Sequence, residues 1–310
     1  MTAAPDAPPP TPAGTTQEAA EAHLRFLLEV TADLPSISPV AAKVNQILSS
    51  PESSASDLAR VISADPSMSA NLLRVVNSPF YGLPQKVGTI SQAIVILGYR
   101  ALREIVMGIS IMESLGGKAA SPAFDPKLLW LHSLAVGSAA KQLARRLKLP
   151  GEVEIYFTAG LLHDVGKLIL ANCLPASRDK VARRLEAGAI SFVAAERATY
   201  DTDHGFLGGF LFEKWGLEND LIRVARFHHD PLAAPAVPDV RSGILPLLIH
   251  VCDILVRLIL VREITETRLP PVFPPAFQRL EALGLDLNEL PRMFGEIHKE
   301  YVASKVFLGL

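Results

Sequence analysis

From Glu18 onward, apolar residues recur at the three- and four-residue spacing of a helix, and no stretch sustains the alternation of a half-buried strand. This pattern excludes sheet architectures and predicts an all-α fold. Capping signals divide the chain into segments. Asp65-Pro66 places an N-cap before a proline that suits the first helical turn, and Asn77-Ser78-Pro79 stops that helix. Thr89 or Ser91 opens the next and Gly98 closes it; a third starts near Tyr99 and ends at Gly116-Gly117. Asp125-Pro126 opens a helix through Leu147. Further helices are predicted at about 152–174, 177–188, 190–199, 204–215, 218–229 and 244–264. After the proline-rich break LPPVFPP, two short ones follow near 275–283 and 286–304.

Residues 1–18 are dominated by Pro, Ala and Thr, carry too few large apolar groups to form a core, and are expected to be a disordered leader. The small, polar, proline-containing segment GGKAASPAFDP (116–126) predicts a junction between an N-terminal helical half, 19–118, and a second helical core, 119–264. Residues 265–310 form a C-terminal helical extension. The balance of charges, net −2, argues against non-specific nucleic-acid binding, which leans on a basic face. Segments 66–76 and 90–97 could be laid out as a helix–turn–helix, but Arg74 is their main basic residue, so nucleic acid is not the expected partner.

Cys173 and Cys252 form no paired motif and lie in apolar surroundings, as reduced core thiols of a cytoplasmic protein would. No signal peptide is visible at the N-terminus. The oily run Ile244–Val261 is about long enough to cross a bilayer, yet it contains His250, Asp253 and Arg257. Those groups would be costly in lipid, so a buried core helix carrying a site is the better reading, with no membrane span.

The stretch TAGLLHDVGKLIL (158–170) sets His163, Asp164 and Lys167 inside apolar sequence, and a buried charge needs a partner. Other interruptions follow the same pattern: His132 in LLWLHSLAVGSAA, His204 after Asp203, His228-His229 before Asp230-Pro231, and Asp253 in LLIHVCDILVRLIL. Each has a plain structural explanation. Asp253 has Arg257 one turn on, Asp203 can cap a helix, and His228-His229 can face the negative end of a helix dipole. Together they make an imidazole and carboxylate set without thiolates, which suits Fe, Mn, Zn or Ni and not a closed structural zinc site. Adjacent helical residues point about 100° apart. His163 and Asp164 therefore reach one ion only from the face between them, and His228 and His229 diverge, so one of each pair would serve a second ion or an outer shell. Lys167 either places a cation at a phosphate oxygen or pairs with Asp164.

The order H…HD…H…HH…D, with HD inside GLLHDVGK, resembles the HD superfamily of metal-dependent phosphohydrolases, and the HDVGK box resembles its HD-GYP branch. The first half is more specific. LPSISPVAAKVNQIL, ISADPSMSANLLRVVNSPFYG and GTISQAIVILGYRALREIVMG resemble the HDOD family, the metal-dependent hydrolase-related output domain, from about Leu34 to His229. FTAGLLHDVGKLIL, TDHGFLGGFLFEKWGL and ARFHHDP resemble the second half of that family. The resemblance implies an HD-type helical core preceded by an N-terminal helical subdomain. It assigns HD-type metal positions to His132, His163, Asp164 and Asp253, and HD-GYP-type positions to His204, His228 and His229. It implies one or two divalent transition metal ions. One departure stands out: after His229 the chain reads DPLAAPAVPD, where HD-GYP proteins carry a glycine-tyrosine-proline loop.

The leading expectation is a bacterial signalling regulator that acts by binding a protein partner and retains its metal site. The N-terminal helices and the NSPFYG turn would offer the docking surface, unless they simply pack against the second half. The alternative is a metal-dependent phosphohydrolase acting on a phosphodiester or nucleotide, with Asp164 orienting a metal-bound hydroxide and Lys167 stabilising charge.

Overall fold

A computed structural model describes residues 38–48, 53–116, 125–151, 153–187, 191–200, 202–260, 278, 281, 284 and 286–307. The expected leader, most of the 116–126 junction, the LPPVFPP break and nearly all of the helix expected at 275–283 lie outside the described residues. Regular structure among those described is helical, with no strand.

The first helices run α1 (Pro39–Leu48), α2 (Ala55–Ser63), α3 (Pro66–Val76) and α4 (Ile90–Gly116). The cap signals act as written: Asp65 accepts from the Met68 amide at 3.0 Å, and Thr89, rather than Ser91, accepts from the Gln92 amide at 3.2 Å. Gly98 has φ 81° and ψ 169°, which break the helical path inside α4 where the sequence predicts a stop. Asn77 ends α3 and ties the following loop, receiving the Val87 amide at 2.7 Å and donating to the Val87 carbonyl at 2.8 Å.

That loop contains the NSPFYG turn, and its packing answers one expectation. Phe80 and Tyr81 are buried, and the Tyr81 ring lies 4.8 Å from Phe157 in the second half. Lys141 sits over the same tyrosine ring at 5.2 Å. The turn packs its two aromatic rings against the second half and does not offer them to solvent. One apolar core runs through both halves without interruption.

The second half contains α5 (Pro126–Arg146), α6 (Val153–Leu162), α7 (Gly166–Cys173), α8 (Pro175–Ala187), α9 (Phe192–Tyr200), α10 (His204–Lys214), α11 (Asn219–Phe227) and α12 (Val240–Leu260). A 3₁₀ turn, Leu287–Glu289, leads into α13 (Leu290–Phe307). This last helix docks on α5 through buried Met293 and Ile297, and Arg146 reaches Glu289 at 2.6 Å and Glu296 at 3.1 Å. Helices α5 and α6 cross at Gly137 and Gly160; a Cβ on Gly160 would lie 2.6 Å from the Gly137 Cα, so only glycine permits that approach.

Several boundaries differ from the sequence reading, and two of them matter to the site. The helix expected over 152–174 is two helices, α6 and α7, separated by a turn at 163–165. Gly166, at the start of α7, abuts α10 so closely that a Cβ there would lie 1.8 Å from the His204 carbonyl oxygen. The helix expected over 218–229 ends at Phe227, which leaves His228 and His229 beyond it. Helix α12 starts at Val240, four residues early, and accommodates Pro246. No helix among the described residues is long and apolar enough to cross a membrane.

Candidate metal centre

The breaks in helical path put the polar groups together. His132 comes from the middle of α5, His163 and Asp164 from the α6–α7 turn, His204 from the first residue of α10. His228 and His229 follow the end of α11, and Asp253 projects from α12. Asp203 caps α10 by accepting from the Gly205 amide at 2.9 Å, which fixes the His204 backbone.

Two sets of ligand atoms result. His132, His163, Asp164 and Asp253 form one, and Asp164, His204, His228 and His229 form the other; within each set the atoms lie within 4.8 Å of one another. Opposite ligands at metal–nitrogen or metal–oxygen bonds of about 2.0–2.2 Å are at most about 4.4 Å apart, so either set could close on an ion after a small contraction. Asp164 belongs to both. Its Oδ2 lies 3.3 Å from His163 Nε2 and 3.8 Å from His132 Nε2, while its Oδ1 lies 2.9 Å from His204 Nε2 and 3.4 Å from His228 Nε2. Asp253 Oδ1 completes the first set, 2.9 Å from His132 Nε2 and 3.8 Å from His163 Nε2.

The expectation that His228 and His229 diverge is corrected here. Their ring centroids lie 3.9 Å apart, and both Nε2 atoms face His204 Nε2, at 3.3 and 2.8 Å. The 100° rule holds for residues on a helix, and these two are past its end.

The hydrogen bonds show that this donor set fits a cation. His163 donates Nδ1–H to the Gly160 carbonyl at 2.7 Å, and His228 donates to the Ala225 carbonyl at 2.8 Å. Those bonds commit Nδ1 and leave Nε2 facing other acceptors. His132 Nε2, His163 Nε2 and Asp164 Oδ1 are buried without a well-directed hydrogen bond, although His132 Nε2 lies 2.9 Å from Asp253 Oδ1 and Asp164 Oδ1 lies 2.9 Å from His204 Nε2. Lone pairs crowded together out of water repel unless a proton or a cation lies among them. Cys252 is buried beside Asp253 and belongs to neither set.

Charges reinforce the reading. Burial raises the Asp164 carboxyl, but His163, Lys167 and His204 outweigh it and hold Asp164 well below the usual carboxylate range. Burial is likewise overcome at Asp253 by His132, His163 and Arg257. Burial would depress His163, yet the two aspartates lift it to about 9; burial would also depress His204, and Glu196 with Asp164 lifts it to about 9. Burial pushes His228 down to about 4, and it lowers His132 and His229 as well. In metal-free protein, then, protons on His163 and His204 neutralise the carboxylates.

A pH prediction follows. A histidine raised from 6.5 to about 9 contributes stability that is complete below pH 6.5 and lost as pH rises through 9. A histidine held down near 4 costs stability as pH falls below 6.5. Metal-free protein is therefore expected to be most stable near pH 6.5 and to lose several kcal/mol by pH 9, at about 1.4 kcal/mol per unit of pKa displacement. Bound metal replaces those protons and should remove the alkaline decline. Urea melts at pH 6.5 and 9, with and without chelator, measure this. A flat alkaline arm in chelator would contradict it.

Lys167 Nζ lies 2.5 Å from Asp164 Oδ2, and Arg257 Nε lies 2.7 Å from Asp253 Oδ1, so both pairs weighed from the sequence are present. Asp164 also borders a small recess between α4 and α5–α7, with Gly108, Leu129, Trp130, Leu162 and Val165 among its walls. Two polar residues near the centre were not assigned to the site from sequence, although His250 was noted in the run Ile244–Val261. Glu196, fully buried on α9, accepts from His204 Nδ1 at 2.6 Å. His250 donates Nδ1–H to the His228 carbonyl at 2.7 Å. The one signal for Glu196 in the sequence is its place one helical turn after Phe192, which is weak because nothing local shows what that face meets.

A helical protein organised around a buried histidine–aspartate centre of this order is of the HD type. The chain belongs to the HDOD family: the HDOD domain model matches residues 34–231. An uncharacterized protein from Treponema pallidum (strain Nichols) is 25% identical over 203 residues, 66% of this chain but only 39% of that longer relative. An HDOD domain protein of unknown function from Geobacter sulfurreducens superposes with a TM-score of 0.73 at 23% identity, over 95% of this chain and all of the other. A protein from Shewanella amazonensis SB2B, described as a candidate phosphohydrolase, superposes with a TM-score of 0.71 at 22% identity, over 94% of this chain and 98% of the other. At these identities the two structures establish the shared fold.

Proposed function

We propose that the protein is a regulatory module of bacterial signal transduction, acting in the cytoplasm by binding a protein partner, with its centre loaded by two divalent transition metal ions. One observation carries this reading: a single carboxylate, Asp164, joins ligand sets drawn from five separate segments of the fold. Metal binding to such a set is also folding free energy, so occupancy governs how α5–α7 and α10–α12 pack. A partner that recognises the packed arrangement reads the metal state.

Burial favours regulation over turnover. His163, His204 and His228 have no exposed surface, and the recess beside Asp164 encloses room for little more than one water molecule. Residues 230–239 also lack the positioning loop of cyclic di-guanylate hydrolases. Positioning accounts for roughly 7–11 kcal/mol of a barrier, so ligands without it leave that substrate slow.

A second reading, a phosphohydrolase for compact phosphoesters or nucleotides, draws on Lys167. Its ammonium pairs with the shared carboxylate and keeps some solvent access, where a phosphate oxygen would meet it. Bound metal would supply Lewis acidity and an acidified water there. The test is turnover of cyclic di-guanylate, bis(p-nitrophenyl) phosphate and nucleotides after loading with Mn, Fe or Ni, beside hydrogen exchange of the same samples. The regulatory reading expects no efficient turnover and slowed exchange in α5–α7 and α10–α12 on loading. Robust cleavage abolished by His163→Ala would overturn it and make the protein a hydrolase first.

A further inference from the structure

We propose that Glu196 is the positioning carboxylate that decides whether the set of Asp164, His204, His228 and His229 holds its ion, an inference that rests on the two-ion reading above. Glu196 is no ligand itself; it acts through His204. Its Oε2 accepts from His204 Nδ1 at 2.6 Å and from the His204 amide at 3.2 Å, and its Oε1 is buried with no hydrogen-bond partner. The rest of α9 supports the same histidine. The Phe192 ring stands edge-on to His204 at 6.0 Å between centroids, and Arg197 pairs with the capping Asp203 at 2.7 Å.

The two sets are not equivalent. His163 in the first set turns Nδ1 to a neutral main-chain carbonyl, and His228 in the second does the same; of these three only His204, in the second set, turns it to a buried carboxylate. A carboxylate behind an imidazole fixes its tautomer, aims the Nε2 lone pair and makes that nitrogen a stronger donor. The charges differ as well. The first set has two carboxylates, Asp164 and Asp253; the second has only the shared Asp164. A dication among three neutral imidazoles and one shared carboxylate is only partly neutralised out of water, and Glu196 adds a negative charge one hydrogen bond away. The second ion therefore depends on Glu196 and the first does not.

Glu196→Gln keeps the size of the side chain and an oxygen to accept from the His204 amide, but removes the charge. Titration of metal-free protein with Co(II), followed by calorimetry and visible absorption, reads the two binding steps separately. Wild type is expected to bind two ions. Glu196→Gln should bind the first with unchanged affinity and the second roughly 10–100-fold more weakly, with loss of the absorption change of the second step. Glu196→Ala, checked for helix content by circular dichroism, should show the same selective loss. Two unchanged affinities in folded Glu196→Gln would overturn the proposal. So would lower metal-free stability with both affinities retained, which marks a purely structural role. A wild type that binds fewer than two ions overturns the two-ion reading instead, and the two failures are distinct.

Discussion

Replacing Asp164 with alanine is expected to remove both metal ions at once and to cost metal-loaded protein roughly 3–5 kcal/mol, the loss typical of a broken buried charge network. No other candidate ligand belongs to both sets. The carboxylate also anchors Lys167 at 2.5 Å and His204 at 2.9 Å, so its loss leaves buried cations and imidazoles without their acceptor. Part of the penalty is relieved because Asp164 no longer repels Asp253. In chelator the loss should be smaller, since protons on His163 and His204 can leave when their carboxylate is gone. Chemical denaturation with and without chelator separates the contributions. Equal, large losses in both would assign the stabilisation to the Lys167 pair and deny the metal a role.

Gly166→Ala should be nearly as damaging, although glycine carries no polar group. A Cβ there would lie 1.8 Å from the His204 carbonyl oxygen, 2.7 Å from its carbon and 2.8 Å from the Gly208 amide nitrogen. All three are backbone atoms, and no flexible side chain can yield. Overpacking typically costs 1–3 kcal/mol and occasionally more; a clash between backbones belongs at or above roughly 3 kcal/mol. Helix α10 must move to relieve it and takes His204 with it. Fitted metal content should fall toward the first set alone, and the urea midpoint should drop. A variant with unchanged midpoint and both ions would show that α7 and α10 are not locked together.

Much of this was written locally. Asp65-Pro66 and Asp125-Pro126 opened helices where their side-chain caps and fixed proline φ require, and the candidate ligands stood out as polar groups in apolar runs. What stayed hidden was set by distant contacts. Nothing in LLHDVGK is a helix breaker on the scale of proline, so the turn at His163–Val165 follows from where Gly166 meets α10. His228 and His229 diverge on an ideal helix and converge because α11 ends at Phe227. The NSPFYG turn looked like offered apolar surface, yet Phe157 and Lys141 cover it from the second half. Glu196 reads as an ordinary helical charge until α9 is folded against His204.

The central claim is that seven residues from five segments form one two-ion centre joined by Asp164. Elemental analysis of untagged protein, combined with native mass spectrometry after loading with Fe, Mn, Zn or Ni, tests it most directly. Two ions per chain in wild type and none in Asp164→Ala is the predicted result. Wild type that takes up none of the four metals, or Asp164→Ala that keeps both ions, would contradict it.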